Sequence, residues 1–223
     1  MLNNPNARHG VAKYVDPVAR GLIRIGVTPD MVTYAGTIGV AATALWFFPR
    51  GEFVVGTLVI LLFVFSDLLD GTMARMLGTA SPWGNFLDST LDRLADGAIF
   101  GGILIFFATR GYAVGTAAMW VVTVGAFVIS YAKARAESLG ADAKGGIAER
   151  AERQIWILAL AFVQGIVFIV QSPDGYPWVL TVAAVILAIL VIITIGQRFN
   201  KIKGQLHHPA APQSAPESDA GPA

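Results

Sequence analysis

The chain has 223 residues, of which 55% are hydrophobic and only 14% charged, and its formal net charge is +1. A soluble domain carries roughly a quarter charged residues, so the composition points to a membrane protein, and the near-zero balance shifts attention from total charge to its distribution. With no cysteine in the chain, disulfides, thiolate nucleophiles and Cys-ligated metals are excluded.

The opening stretch MLNNPNARHG lacks an apolar core, so it does not read as a signal peptide, and the first hydrophobic span is expected to direct insertion. Residues 1–27 form an N-terminal cytoplasmic segment. Within it, Val11, Val15, Val18, Leu22 and Ile25 recur at helical spacing, with Arg8, Lys13, Arg20 and Arg24 between them. That pattern predicts an amphipathic helix lying on the membrane surface.

Residues 28–203 are expected to form an all-α bundle of six transmembrane helices over roughly 31–49, 53–75, 85–109, 112–135, 154–172 and 177–197. Turn signals such as Pro49-Arg50-Gly51, Arg110-Gly111 and Ser172-Pro173-Asp174-Gly175 separate the spans. Residues 204–223, rich in Pro, Ala and Ser, read as a disordered cytoplasmic tail. His9, His207 and His208 lie near the ends and read as solvated bystanders.

Placing the N-terminus in the cytoplasm leaves only Arg50 and Arg110 of the 16 Lys and Arg residues outside. The positive-inside rule therefore puts both termini, and the loop between spans two and three, on the cytoplasmic face. That loop and its flanks hold four aspartates in the stretch DLLDGTMARMLGTASPWGNFLDSTLD, residues 67 to 92. Asp67 lies ~21 Å along the second span from Phe53, within a hydrocarbon core of ~30 Å. Asp67 and Asp70 are three apart and Asp88 and Asp92 four apart, so each pair shares one helix face. Converging carboxylates at this depth repel unless protonated or bound to cations. Oxygen donors alone suit Mg²⁺, Mn²⁺ or Ca²⁺ and make zinc a poor fit. Gly71 beside Asp70 reads either as room for a bulky ligand or as helix packing, and Arg75 is placed for bidentate phosphate contact.

This stretch resembles the signature of the CDP-alcohol phosphotransferase (class I CDP-alcohol phosphatidyltransferase) family, D-x2-D-G-x2-A-R-x8-G-x3-D-x3-D. Its fixed positions are matched by Asp67, Asp70, Gly71, Ala74, Arg75, Gly84, Asp88 and Asp92. The resemblance implies a six-span enzyme in which an alcohol hydroxyl attacks the lipid-bearing phosphorus of CDP-diacylglycerol and CMP leaves. It further implies two divalent cations, Mg²⁺ or Mn²⁺, on Asp67, Asp70, Asp88 and Asp92, with Asp92 also the base on the attacking hydroxyl. Gly71, Arg75 and Ser81 would contact the nucleotide. Thr28-Pro29-Asp30-Met31-Val32-Thr33 is similar to the family's Thr-Pro-Asn-x-x-Thr element that helps hold the nucleotide, with Asp30 in place of Asn. The same segment also reads as helix capping by Thr28 or Asp30.

The segment YAKARAESLGADAKGGIAERAERQIW, after span four, places Lys133, Arg135, Arg150 and Arg153 on the aspartates' side, and Arg198 ends span six there. Lys133 and Glu137 can pair along the helix, so part of this charge also fits surface salt bridging. Charges inside an apolar helix end need partners, however, and a basic pocket facing a diphosphate site implies an anionic acceptor. The pattern S-Y-x-K-A-R-A-E, followed by G-x-x-E-R-x-E-R, is similar to the bacterial branch of the family that uses inositol 1-phosphate (numbered 3-phosphate in the D series) and makes phosphatidylinositol phosphate. By that resemblance Lys133, Arg135, Arg153 and Arg198 would hold the acceptor phosphate. The branch using glycerol 3-phosphate is the alternative, and a cation transporter is the non-enzyme alternative. The implied setting is a bacterial plasma membrane, with membrane lipids and a second copy of the chain as partners and no nucleic acid.

Overall fold

A computed structural model describes residues 5–64, 66–79, 81–142, 150–171 and 175–207. Every element among them is helical: α1 (Pro5–Arg24), α2 (Pro29–Phe47), a 3-10 turn (Phe48–Arg50), α3 (Phe53–Val64), α4 (Ser66–Leu77), α5 (Pro82–Thr109), α6 (Ala113–Ser138), α7 (Arg150–Val170) and α8 (Trp178–His207). Among the described residues five stretches are long and apolar enough to cross a membrane: Pro29–Arg50, Phe53–Leu77, Ala113–Ser138, Glu152–Val170 and Trp178–His207. The remaining expected span is α5. Its 28 residues cover ~42 Å, but Asp88, Asp92, Arg93 and Asp96 lie on it between its start and its middle.

Around the bundle, α2 packs on α5, α5 on α6, α6 on α8, α8 on α7, α7 on α3 and α3 on α2, closing a ring. The shared core contains Val40, Ile60, Phe100, Ile103, Met119, Val122, Ala161, Leu187 and neighbouring apolar residues. Large side chains such as Leu62, Ile169 and Ile192 point outward and are exposed, as expected where the surrounding medium is hydrocarbon. Close approach of α2 and α5 depends on Gly102, where an added Cβ would stand 2.5 Å from the Ala44 carbonyl oxygen.

At one end of the bundle Phe53 meets Phe106 edge-on at 4.8 Å. Arg110 donates to the Pro49 carbonyl at 2.8 Å, tying the end of α5 to the turn after α2. The opposite end carries the charged residues. There α1 lies against α4, burying Ala19 with Met73 and Val32, so the amphipathic N-terminal helix is present and rests on the aspartate-bearing element.

The expected second span appears as one stretch, Phe53–Leu77; α3 and α4 are its described parts on either side of residue 65, and α4 carries Asp67 and Asp70. One element boundary differs from the sequence reading. The last helix runs to His207, so residues 204–207 of the expected tail are helical; 208–223 lie outside the described residues. The extension is held by Gln205, which accepts from the Asp142 N–H at 2.7 Å and donates to the Asp142 carbonyl at 2.8 Å. Lys201 pairs with the Asp142 carboxylate at 3.1 Å.

Candidate active site

At the charged end, α2, α4 and α5 enclose a cavity of about 640 Å³ lined by Asp30, Thr33, Asp70, Gly71, Ala74, Arg75, Ser81, Trp83, Gly84, Asn85, Asp88 and Asp92. Local rules explain its shape. Thr28 caps α2, accepting from the Met31 N–H at 3.3 Å, and Ser81 caps α5, accepting from the Gly84 N–H at 3.2 Å, each with Pro at the next position. Both helix N-termini thus bring backbone N–H groups and dipoles to the cavity, which favours a phosphorylated ligand. Asp70 is buried; it accepts from the Thr33 hydroxyl at 2.6 Å and from its neighbour's Gly71 N–H. Arg75 is exposed and donates to Thr72 at 2.9 Å. Asp30 accepts from the Trp83 indole N–H at 3.0 Å, linking the starts of α2 and α5.

The glycines of this cavity do not serve helix packing. A Cβ on Gly71 would meet nothing nearer than Arg75 Nη1 at 3.5 Å, and one on Gly84 nothing nearer than Ser81 Oγ at 3.7 Å. Gly102 cannot gain a methyl group without displacing backbone, whereas Gly71 and Gly84 keep cavity space empty. Close helix packing is therefore not the reason for Gly71, whose flank opens into the cavity.

A second cavity of about 900 Å³ opens between α5, α6, α7 and α8, lined among others by Ser89, Asp92, Arg93, Ser130, Lys133, Glu137, Arg153 and Arg198. Its arginines are unusually sheltered: Arg153 is 1% exposed and Arg198 6%. Arg198 donates to the Ile129 carbonyl at 2.8 Å. Lys133 pairs loosely with Glu137 at 3.9 Å, both half exposed. Buried guanidiniums are costly unless paired, and planar donors held in place suit a phosphate.

The third cavity, about 510 Å³, is an apolar cleft between α2, α3, α5 and α7, walled by Val40, Leu58, Leu61, Ile99, Leu158 and Phe162, with Asp92 and Gln154 at its polar end. Asp92 therefore borders all three spaces: acidic, basic and apolar. One carboxylate stands where a polar headgroup, an anionic second substrate and an acyl chain can meet.

A family model described as CDP-alcohol phosphatidyltransferase matches residues 26–196. The chain belongs to the CDP-alcohol phosphatidyltransferase family. It is 44% identical over 226 residues, covering 99% of this chain and 90% of the relative, to a phosphatidylinositol phosphate synthase from Streptomyces avermitilis. It is also similar to the crystal structure of the Mycobacterium tuberculosis phosphatidylinositol phosphate synthase with CDP-DAG bound. There the TM-score is 0.79 and the identity 41%, covering 86% of this chain and 94% of that one. The same M. tuberculosis protein in complex with manganese and citrate aligns with a TM-score of 0.77 at 41% identity, over 84% of this chain and 88% of that one. The chain is thus a transferase of phospholipid biosynthesis built on an all-α membrane fold.

With the family in hand, the expected residues can be placed. Asp70, Asp88 and Asp92 line one cavity, with Gly71, Arg75, Ser81, Asp30 and Thr33. Asp67 sits on α4 one turn before Asp70, and its side chain lies outside the described residues. Among the described residues no three His, Asp or Glu groups form a ready-made cation cage. The donor chemistry nonetheless fits a hard divalent ion, since the cavity offers carboxylates without sulfur or imidazole. Met31 and Val32 do not reach the cavity: Met31 is exposed, and Val32 is buried against Ala19 and Met73. Asp30 and Thr33 share one face of α2, so the two residues between them turn away. Lys133, Arg153 and Arg198 line the basic cavity, but Arg135 does not; it donates to Ser138 at 3.4 Å. Two positions after Lys133, Arg135 points to the other side of α6. The Arg150 side chain lies outside the described residues.

Several polar groups at these cavities went unflagged by the signature. Trp83 and Asn85 line the acidic cavity and Arg93 the basic one. Arg93 immediately follows the last aspartate of the signature, but a single arginine near a membrane face reads as an ordinary positive-inside residue.

Proposed function

We propose that the chain is a phosphatidylinositol phosphate synthase, transferring the phosphatidyl group of CDP-diacylglycerol to a hydroxyl of inositol phosphate and releasing CMP. The observation that carries this reading is the position of Asp92, on the border of an acidic, a basic and an apolar cavity. The names of the relatives support the choice of substrates.

In this reading the cytidine nucleotide occupies the acidic cavity, with Arg75 on its phosphates and the capped helix starts at Thr28 and Ser81 facing it. One acyl chain lies in the apolar cleft. Arg153, Arg198 and Lys133 hold the phosphate of the second substrate, so that one of its hydroxyls faces Asp92. Asp67, Asp70, Asp88 and Asp92 would hold two divalent cations, Mg²⁺ or Mn²⁺, which when bound neutralise the diphosphate and lower the barrier to displacement. Asp92 accepts the hydroxyl proton, and the oxygen bonds to the phosphorus bearing diacylglycerol. The bond from that phosphorus to the bridging oxygen breaks, and CMP leaves with the electron pair. Holding both substrates at one carboxylate supplies proximity, which is a large part of the barrier reduction in such transfers.

The sidedness of Lys and Arg supports a multi-pass protein of a bacterial plasma membrane, with termini and active site cytoplasmic. The family resemblance supports a homodimer.

The test is CMP release by purified protein from CDP-diacylglycerol with inositol phosphate, with glycerol 3-phosphate, and with no acceptor, each with and without Mg²⁺ or Mn²⁺. Release is expected only with a divalent ion and inositol phosphate. Preference for glycerol 3-phosphate overturns the acceptor assignment, and silence with both acceptors overturns the reaction.

A further inference from the structure

Asp96 belongs to neither the aspartate signature nor any cavity lining described above, yet it is a carboxylate only 3% exposed in the interior of an apolar bundle. Its position, one turn beyond Asp92 on α5, places it directly behind the active site. Asp96 Oδ1 accepts from Gln154 Nε2 at 2.6 Å, and Oδ2 stands 3.8 Å from Arg93 Nε. Arg93 in turn donates to the Ser130 hydroxyl on α6 and brings Nη2 to 3.7 Å from Asp92 Oδ2. Ser130 is itself fixed, donating to the Ala126 carbonyl at 2.9 Å.

These contacts form one polar chain across the bundle. It starts at Gln154 on α7, passes through Asp96 and Arg93 on α5 to Ser130 on α6, and touches the Asp92 carboxylate. In the ring of helices α5 and α7 are not neighbours, so the Gln154–Asp96 hydrogen bond crosses the interior. Gln154 borders the apolar cleft, and the residue before it, Arg153, borders the basic cavity. The chain therefore joins the walls of two substrate spaces at the group that faces both.

We propose that Asp96 is a positioning residue. Through Arg93 it sets the orientation of the Asp92 carboxylate, and through Gln154 it holds α7, with Arg153, in register with that carboxylate. The inference rests on the reading of Asp92 as the base. The physical reason is rigidity. The Asp92 side chain has two rotatable bonds and faces three open cavities. Arg93, anchored by Asp96 and Ser130, supplies it with a fixed charged partner in a low-dielectric interior, where such contacts orient strongly. Small misplacement of a reacting group is enough to slow the chemical step severely while leaving binding intact.

The experiment is a double-mutant cycle on the full-length enzyme in detergent, reading kcat and both KM values from CMP release. Asp96→Asn preserves volume and can still accept from Gln154, but loses the charge that holds Arg93. It is expected to lower kcat about tenfold with both KM values within twofold of wild type. Arg93→Gln alone should lower kcat to a similar degree. The double variant Asp96→Asn/Arg93→Gln should be no slower than the slower single variant, because both act on Asp92 through one path. A purely structural Asp96 gives instead losses that multiply. Gln154→Met, close in volume, removes the hydrogen bond to Asp96 while keeping both charges of the Asp96–Arg93 pair, and it covers the case in which Asp96→Asn does not fold; at a temperature where the variant is folded it should lower kcat about fivefold with both KM values within twofold of wild type. Wild-type kcat in Asp96→Asn or in Gln154→Met, or multiplying losses in the cycle, overturns the brace while the wild type is active. An inactive wild type overturns the reading of Asp92 and the brace with it.

Discussion

The acidic and basic cavities meet at Asp92 but are built in opposite ways. The acidic one is assembled from elements close in sequence, α4 and α5, with the start of α2, and its cation is exposed: Arg75 donates to Thr72, one turn before it on the same helix. The basic one draws on four helices, with faces of α5 and α6 and one arginine each from α7 and α8, and buries Arg153 and Arg198 almost completely. A charge at an exposed rim can adapt to its ligand and is screened by water and salt. A buried guanidinium has its desolvation cost met during folding and stands oriented before the ligand arrives. If the acidic cavity takes the nucleotide and the basic one the acceptor, as proposed, the comparison assigns tolerance to the first and discrimination to the second.

Three substitutions break or sharpen that contrast. The largest effect belongs to the shared residue. Asp92→Asn should reduce CMP release by about 10²–10⁴, the range for loss of a general base, while the protein stays folded and still binds CDP-diacylglycerol. A near-normal rate would remove Asp92 from the chemistry and dissolve the link between the cavities. Next comes Arg153→Gln, which removes a buried charged donor worth ~1.5–3 kcal/mol. The acceptor KM should rise about 10- to 100-fold and the CDP-diacylglycerol KM much less; equal rises in both would mean that Arg153 supports the fold rather than one substrate. The smallest effect is expected at Arg135, which lies outside the basic cavity. Arg135→Gln should change the acceptor KM less than about twofold, in keeping with a surface charge of small energetic weight. A rise comparable to that of Arg153→Gln would show that the cavity closes over Arg135 when the acceptor binds.

Much of the site was legible because helical periodicity carries over directly into three dimensions. The spacings of Asp67, Asp70, Asp88 and Asp92, and of Asp30 and Thr33, are multiples of a helical turn, so shared faces follow from counting. The same counting, applied more strictly, would have put the side chains of Met31 and Val32 off the face shared by Asp30 and Thr33, and Arg135, half a turn from Lys133, on the other side of α6. Asp96, by contrast, was not legible as anything beyond a fifth carboxylate.

By itself the sequence determined the class of molecule and the metal-and-nucleotide side of its chemistry. Composition required a membrane, the distribution of Lys and Arg implied one orientation, and a 26-residue stretch held the signature at fixed helical spacing. Only the tertiary structure decided which basic residues face the aspartates, that Gly71 borders open space, and how Asp96, Arg93 and Gln154 connect behind Asp92. The decisive contacts span long stretches of chain: Asp96 meets Gln154 across 58 residues and Arg93 meets Ser130 across 37. Periodicity fixes the face a residue occupies on its own helix, but which helix that face meets depends on the packing of the whole ring.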